Sequence, residues 1–306
     1  MATVEKGIFR GTEAYFLKND SICVTLLSSG GKVASIRKGD LEYLYQNPSP
    51  DYIYPEFGKE FGSLDCSGFD DMVPTINAGY ISDGVFAGIH LVDHGEVWAL
   101  DWDVDPGNDF LKMSVHGVRL PYMLRKKLML NKNTLVIDYE LENKTEFAIP
   151  CLWAAHILIR ATPETRIVVP EENKQVIVAS DMCSKLNGFG TVHSWPETKD
   201  KNGNRYSIDR LSPENSGICE KFYFDGPCTG GVVGLENPDM RIRFDPVLTP
   251  YLGVWLNANG YKDQYNIAVE PASAPMDSPE IAKQWGYDSM IEPKSIMSWS
   301  MEMEAL

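Results

Sequence analysis

The strongest constraint on the fold is a regular alternation of side chains between residues 134 and 143. One set of alternate positions is apolar, and the other carries the acidic side chains: Leu135, Ile137, Tyr139 and Leu141 against Asp138, Glu140 and Glu142. A period of two residues places neighbouring side chains on opposite faces of a β-strand. The segment therefore predicts a strand with one buried and one solvated face, as antiparallel sheets have.

Similar patterns recur along the chain and are separated by turn sequences. Asn131-Lys132-Asn133 predicts a hairpin between residues 125–130 and 134–143, and Gly30-Gly31 predicts a second one between residues 21–27 and 32–36. Residues 241–244 and 252–256 also favour strands. The alternation of Met297, Trp299, Met301 and Met303 predicts a C-terminal strand that closes a sheet.

Helical patterns are scarce by comparison. Residues 278–285 predict one short helix, with Ser278 as N-cap, Pro279 in the first turn and Gly286 as the stop. Residues 195–217 are rich in Lys, Asp, Asn, Gly and Pro, so we expect a long surface loop there. With no internal repeat and no break in composition, the sequence predicts a single all-β domain over residues 1–306, a large antiparallel β-sandwich.

Composition narrows the classes of partner and compartment. The chain has 28 basic and 43 acidic residues, a formal charge of −15, which argues against nucleic acid or an anionic membrane surface as a partner. We find no uninterrupted apolar run of about 20 residues that would predict a membrane span. Six cysteines without a C-x-x-C pair argue against a zinc ribbon and favour a reducing compartment, so we expect a cytoplasmic protein.

His156 is the most informative single residue. It lies within the uncharged run of residues 147–159, where a buried histidine bonded to a backbone carbonyl is the commonest structural role. The functional alternative is a general acid or base in a pocket with apolar walls.

Glu270 and His94 are the next candidates. Glu270 stands between Val269 and Pro271, and because proline cannot donate to a sheet ladder, we expect Glu270 at a strand end that faces a loop-lined edge. It is either a solvated glutamate or a general base. His94 precedes a glycine and could form a metal pair with His90 four residues earlier, but no H-E-x-x-H pattern is present and we expect no metal.

Two further groups are candidate contacts for a substrate. Asp70 and Asp71 follow Gly68-Phe69, where the alternative is a turn stabilised by a short acidic side chain. Tryptophans can stack on sugar rings, and Trp255 and Trp98 are the candidates, although core packing is the usual role of any one tryptophan.

Taken in order, these segments resemble the aldose 1-epimerase (galactose mutarotase-like) family, in its bacterial branch. The resemblance rests on the His-Gly pair at His94, the lone histidine of an apolar strand at His156, and Val269-Glu270-Pro271 followed by Pro275 and Asp277. The segment from Tyr251 to Trp255 is similar to the strand that precedes the glutamate of the family. The match covers most of the chain.

The resemblance implies a large antiparallel β-supersandwich with an open cleft on one concave face. It implies that His156 is the general acid at the sugar ring oxygen, that Glu270 is the general base at the C1 hydroxyl, and that His94 binds the sugar near the ring oxygen. The chain departs from galactose mutarotases in having Glu96, Val97 and Trp98 after the His-Gly pair, and in having Asp70 and Asp71 where that family has a sugar-binding arginine.

The leading function is thus the cofactor-free interconversion of α and β anomers of a sugar by acid–base ring opening, by a monomer or homodimer. Three alternatives stay open. The first is a non-catalytic carbohydrate-binding protein on the same scaffold, because fold does not fix function. The second is a structural domain of the kind attached to polysaccharide-processing enzymes. The third is a mutarotase for hexose 6-phosphates, for which basic residues are present but cannot be placed at one pocket: Arg37, Arg119, Arg125, Lys126 and Lys127.

Overall fold

The chain is almost entirely β-structure. The computed structural model describes residues 1–180 and 182–306. The strands of the first half are β1 (Thr3–Phe9), β2 (Thr12–Lys18), β3 (Cys23–Leu26), β4 (Val33–Lys38), β5 (Leu41–Glu42), β6 (Phe69–Met72), β7 (Gly79–Tyr80), β8 (His90–Leu91), β9 (Asp103–Pro106), β10 (Phe110–His116), β11 (Tyr122–Asn131), β12 (Thr134–Asn143) and β13 (Ile149–Pro150).

The second half continues the same pattern. Its strands are β14 (Ala154–Arg160), β15 (Arg166–Val168), β16 (Gln175–Ser180), β17 (Val192–Ser194), β18 (Glu197–Lys199), β19 (Arg205–Ser207), β20 (Ile218–Phe224), β21 (Val232–Glu236), β22 (Met240–Arg243), β23 (Tyr251–Ala258), β24 (Tyr265–Ala272), β25 (Met290–Ile291) and β26 (Ser295–Ala305). Helix α1 (Pro279–Gln284) and two 3-10 turns, Phe61–Ser63 and Val97–Ala99, complete the elements of the described residues.

Two antiparallel sheets form the body of the structure. The larger has twelve strands in the order β1-β2-β3-β4-β6-β14-β24-β23-β20-β16-β17, with β5 paired to β4. The smaller has eight, in the order β15-β21-β22-β26-β12-β11-β10-β9. Three two-stranded ribbons, β7-β8, β13-β25 and β18-β19, lie outside them.

The main core lies between the two sheets. The smaller sheet contributes the inward set of its alternating strands, so that Leu135, Ile137 and Tyr139 of β12 are at most 1% exposed. In the larger sheet, Ile157 of β14 and Val269 of β24 belong to the same apolar cluster. Burial of this apolar area is the dominant favourable term in folding.

A second apolar cluster covers the opposite face of the larger sheet. It includes Met72 of β6, Ala154 and Leu158 of β14, and Ala268 of β24. Because side chains alternate along a strand, residue 156 of β14 and residue 270 of β24 project from this outer face. The middle of the larger sheet therefore has a second buried surface, and the candidate site lies on it.

Most of the predicted elements are confirmed. The hairpin of β11 and β12 pairs Asn131 with Thr134, β26 closes the smaller sheet against β12 and β22, and α1 begins after Ser278 and ends before Gly286. The strand predicted over residues 21–27 is shorter, Cys23–Leu26. The predicted all-β supersandwich is the observed fold class.

The prediction of a long loop over residues 195–217 is wrong. The segment contains the hairpin β18-β19, and Ile208 and Leu211 after it are buried. Its polar composition belongs to the hairpin surface and its turn, whereas two apolar side chains anchor the segment to the main core.

No helix among the described residues is long and apolar enough to cross a membrane.

Candidate active site

A cavity of about 270 Å³ opens on the outer face of the larger sheet. Its volume is slightly below the usual range of small-molecule pockets, about 300–1,000 Å³, so it suits one sugar ring better than a chain of them. The residues that line the cavity include Phe61, His94, His156, Lys221, Trp255, Tyr261, Glu270 and Asp277.

His156 reaches the floor of this cavity from β14. Its neighbours alternate, with Ile157 in the main core and Leu158 on the cavity side. The histidine is 7% exposed. Burial is the main cause that lowers the pKa of His156 well below the ordinary 6.5, and the nearby positive groups His94 and Lys221 lower it further.

Glu270 comes from the neighbouring strand, and its position corrects the sequence-based expectation. It lies inside β24 rather than at a strand end, and it is fully buried, with no exposed surface. Pro271 is tolerated in this central strand because the ladder between β14 and β24 is interrupted here. Ala154 pairs with Ala272, and pairing resumes only at Ile157 and Val269.

The antiparallel register of β14 and β24 is the same on both sides of this gap and places residues 156 and 270 opposite each other. Nε2 of His156 lies 3.9 Å from Oε1 of Glu270. Among the described residues, Oε1 has no hydrogen-bond partner although it is buried. A buried oxygen without a partner carries a free-energy cost that a folded protein retains when the oxygen is needed by a ligand or a reaction.

His94 is presented by a tight turn. Its φ of 56° and the φ of 72° at Gly95 are both left-handed. A Cβ at residue 95 would meet the carbonyl oxygen of Val73 at 2.2 Å, so the glycine is required there. The backbone NH of His94 donates to the carbonyl of Ile76 at 2.6 Å, which fixes the turn against the exit of β6.

The ring of His94 is held on two sides. It stacks on Phe61, with ring centroids 4.5 Å apart and an interplanar angle of 12°. Its Nδ1 lies 3.0 Å from Oδ1 of Asp93. Burial alone would raise the pKa of Asp93, but the contact with His94 lowers it, so this carboxylate stays charged beside the imidazole. The His94 and His156 rings meet edge to face, 5.3 Å apart.

Trp255, the candidate for stacking on a sugar, lines the cavity together with Tyr261, which the sequence did not single out. The two rings are 6.1 Å apart and nearly perpendicular. Tyr261 donates a hydrogen bond to Glu60 at the rim. Aromatic faces of this kind suit the apolar C–H faces of a sugar ring.

Asp70 and Asp71 are not among the lining residues, which corrects their prediction as sugar contacts. Both are at most 1% exposed. Asp70 accepts a hydrogen bond from Lys32 at 2.5 Å, and Asp71 accepts one from Lys126 at 2.7 Å. Asp71 also accepts from Nε1 of Trp153 at 3.0 Å, so its two oxygens bind groups inside the core. Their contacts assign both carboxylates to buried ion pairs.

Trp98 does not line the cavity either. It is 3% exposed, and its Nε1 donates to the carbonyl oxygens of Asp93 and Gly95 at 3.2 and 3.1 Å. Its ring packs edge to face against Phe61 at 5.0 Å. It therefore supports the stacked pair of Phe61 and His94 from behind instead of presenting a surface to a ligand.

Lys221 was not singled out by the sequence analysis, and Asp277 had no role there beyond its part in the resemblance. Lys221 of β20 donates a hydrogen bond to Oε2 of Glu270 and lies 3.3 Å from Oδ1 of Asp277. Asp277 also accepts a hydrogen bond from Tyr223 at 2.6 Å. A lysine within the apolar strand sequence Ile218–Phe224 was the available signal, because lysine is almost never fully buried unless paired.

Glu270 experiences opposing effects in this setting. Burial raises its pKa above the ordinary 4.5, and the charge and hydrogen bond of Lys221 act in the opposite direction. The two groups that face each other across 3.9 Å thus have pKa values displaced toward each other, since that of His156 is lowered. Displacements in these directions suit two groups that exchange protons with one substrate.

Metal binding has no support in the part of the chain that the structure describes. No group of three or more His, Cys, Asp or Glu side chains there is arranged to hold an ion. His90 lies on β8 and packs on Tyr80 at 4.7 Å, apart from the lining residues, so it does not join His94 at a common site.

The two sheets, with a histidine and a glutamate on the outer face of the larger one, define a galactose mutarotase-like fold. A galactose mutarotase-related enzyme from Lactobacillus acidophilus superposes with a TM-score of 0.64 at 14% identity, over 96% of this chain and 97% of that one. A proposed aldose 1-epimerase from Escherichia coli K12 gives 0.68 at 16% identity, over 95% and 98%.

A proposed aldose 1-epimerase from Klebsiella pneumoniae gives a TM-score of 0.74 at 11% identity, over 99% of this chain and 83% of that one. At such low identities, the superpositions show a shared fold and do not show a shared activity. No protein-family model and no curated protein matches the sequence.

Proposed function

We propose that this protein is a sugar mutarotase of the aldose 1-epimerase type, which interconverts the α and β anomers of a monosaccharide. The observation that carries the proposal is the 3.9 Å approach of Nε2 of His156 to the unpartnered Oε1 of Glu270 in a cavity the size of one sugar ring. The two oxygens that change protonation in the reaction, the C1 hydroxyl and the ring oxygen, are bonded to the same carbon. Two groups that serve them must therefore lie close together.

The reaction balances with these two groups alone. Glu270 removes the proton of the C1 hydroxyl, the C1–O bond of the ring breaks, C1 becomes an aldehyde, and His156 gives its proton to the departing ring oxygen. Rotation about C1–C2 presents the other face of the aldehyde. In ring closure His156 takes its proton back from the attacking hydroxyl, the C1–O bond of the ring re-forms, and Glu270 gives its proton to the aldehyde oxygen. The opposite anomer then leaves.

The pair must hold one proton in each half of this cycle. Before opening, the proton is on His156 and Glu270 is a carboxylate; after opening, Glu270 is protonated and His156 is neutral. The raised pKa of Glu270 and the lowered pKa of His156 bring these two states closer in free energy. This displacement favours proton transfer in both directions, which the interconversion of two anomers requires.

His94 is assigned to orientation of the sugar near the ring oxygen. Its contacts with Phe61 and Asp93 fix the plane of the imidazole, and it lines the same cavity as the proton-transfer pair. Trp255 and Tyr261 are assigned to contact with the sugar faces.

An uncharged sugar fits this cavity better than a hexose 6-phosphate. No arginine is among the lining residues of the described chain, and its buried lysine, Lys221, already contacts Glu270 and Asp277. A phosphate group would therefore meet no positive charge that is free to pair with it.

The test is exchange NMR of anomer interconversion across neutral hexoses, hexose 6-phosphates and acidic sugars, in a buffer that is a weak general base. We expect accelerated exchange of at least one neutral hexose. Sugar binding without any acceleration would contradict the mutarotase and support the carbohydrate-binding alternative. Faster exchange of phosphorylated sugars alone would contradict the assigned substrate class.

A further inference from the structure

Lys221 is the buried cation of the cavity, and both of its ionic partners also line the cavity. Its side chain is 6% exposed, that of Glu270 is fully buried and that of Asp277 is 5% exposed. Burial opposes the charge of the lysine, but Asp277 and Glu270 outweigh it and raise the pKa of Lys221. The lysine is therefore a fixed positive charge, not a proton donor or a nucleophile.

Asp277 is held in place by an unusual backbone. Met276 and Asp277 have φ values of 69° and 63°, two consecutive left-handed residues that are not glycine. Left-handed backbone is unfavourable for L-residues other than glycine. The carbonyl oxygen of Asp277 accepts hydrogen bonds from the backbone NH groups of Ile76 and Asn77 at 2.9 and 2.7 Å, which fix this conformation.

The lysine distinguishes between the two oxygens of Glu270. Oε2 accepts the hydrogen bond from Lys221, whereas Oε1 faces Nε2 of His156 and is left without a partner. Rotation of the carboxylate would break the contact with Lys221. Asp277, which accepts a hydrogen bond from Tyr223, also contacts the lysine, so the orientation of Glu270 is set by this cluster.

We propose that Lys221 is a positioning residue for the reaction inferred above: it directs Oε1 of Glu270 toward the sugar and keeps one proton shared between Glu270 and His156. This inference rests on the proposed function for its kinetic consequence. Its electrostatic consequence, a change in the titration of Glu270, does not depend on catalysis.

The charged and titratable groups around Glu270 and His156 determine the direction in which each substitution shifts the pKa values of this pair. They are Lys221 and Tyr223 from β20, Asp277 after β24, His94 and Asp93 from the turn after β8, and Lys32 with Asp70 below His156. Lys221 lowers the pKa of both Glu270 and His156, whereas Asp277 raises that of Glu270. Removal of the lysine charge therefore moves both titrations to higher pH, and removal of the Asp277 charge moves that of Glu270 to lower pH.

The kinetic experiment compares the pH dependence of kcat/KM for anomer exchange in wild-type protein, Lys221→Met, Lys221→Arg and Asp277→Asn. We expect Lys221→Met to shift the profile to higher pH by about 1–3 pH units. We expect the pH profile of Lys221→Arg to stay close to that of the wild type, because the positive charge is kept. Asp277→Asn should move the acid limb of the profile to lower pH. A uniform loss of activity at every pH, with an unshifted profile, would show a merely structural role and overturn the proposal.

The second experiment measures Glu270 directly, by NMR titration of protein labelled with carbon-13 at the glutamate carboxyl carbons. The resonance of Glu270 is assigned by its loss in Glu270→Gln. A higher titration midpoint of Glu270 in Lys221→Met supports the positioning role, whether or not the wild-type protein exchanges anomers. A wild-type protein that exchanges no anomers would contradict only the proposed function. An unchanged midpoint overturns the role of Lys221 whatever the activity. If Lys221→Met does not fold, Lys221→Gln, which keeps a neutral donor, carries the same test.

Discussion

Nε2 of His156 and Oε1 of Glu270 lie 3.9 Å apart on neighbouring strands, at the point where the ladder between those strands is interrupted. Backbone pairing elsewhere along β14 and β24 would hold cross-strand side chains at fixed separations. The register, unchanged on both sides of the interruption, places residues 156 and 270 opposite each other, and the hydrogen bond from Lys221 orients the carboxylate of Glu270. The fold thus supplies a rigid floor, and side-chain contacts set the geometry of the pair.

The pH dependence of catalysis follows from the displaced pKa values. Activity requires one proton on the pair, and burial lowers the pKa of His156 well below 6.5 while it raises that of Glu270 above 4.5. As pH rises, the pair loses its proton and kcat/KM falls. We expect an optimum on the acid side of neutrality, because the lowered pKa of His156 moves the alkaline limb of the profile to lower pH. A profile of kcat/KM that stays flat up to about pH 8 would disagree with this assignment.

Asp71 is expected to matter for stability and not for sugar binding. Asp71→Asn removes the partner of Lys126, whose side chain is 1% exposed, and leaves a buried charge unpaired. Breaking a buried pair in this way costs about 3–5 kcal/mol. Urea unfolding measures the loss.

The matched control for Asp71 is Asp40→Asn. Asp40 forms an exposed pair with Arg37 at 3.8 Å, and its removal should change the free energy of unfolding by less than about 1 kcal/mol. Folded Asp71→Asn should bind sugar like the wild type. A selective loss of sugar affinity, with stability unchanged, would restore Asp71 as a ligand residue.

His94 should affect binding as well as turnover. His94→Asn removes an imidazole that stacks on Phe61 and lines the cavity. One lost hydrogen bond corresponds to a Kd increase of about 3- to 10-fold, measured by calorimetry. His90→Asn is the control, because His90 packs on Tyr80 and is not among the lining residues. Equal effects of the two substitutions on Kd would remove His94 from the site.

Much of the fold was predictable because its determinants are local. The alternation in β12 and the Asn131-Lys132-Asn133 turn specify a hairpin without reference to the rest of the chain. His156 was identifiable because an ionisable residue in a long uncharged run is conspicuous. The hairpin within residues 195–217 was missed because strands of three residues have too few positions to show a period.

The parts of the site that were missed depend on contacts distant in sequence. Lys221 looks like an interruption of an apolar strand until Glu270, 49 residues later, is seen beside it. Asp70 and Asp71 look like ligands until Lys32 and Lys126 are placed against them. Glu270 was expected at a strand end because Pro271 forbids a ladder bond, and only the structure shows that the ladder is broken there in the middle of the sheet.

The central claim is tested most directly by the rate of anomer exchange in Glu270→Gln, measured by exchange NMR on the preferred hexose. The variant keeps the size of the side chain and removes the base, so we predict a fall in kcat of roughly 10²–10⁴-fold with Kd for the sugar changed by a small factor. We expect His156→Asn to lower kcat by a similar factor. The double variant should have a kcat only slightly below that of either single variant, because one proton transfer is useless without the other.

Glu220→Gln is the matched control for that measurement. Glu220 is a buried glutamate beside Lys221 in sequence, it accepts a hydrogen bond from the backbone NH of Lys185, and it does not line the cavity, so kcat should stay near the wild-type value. A folded Glu270→Gln protein that exchanges anomers at close to the wild-type rate would contradict the assignment of Glu270 as the base.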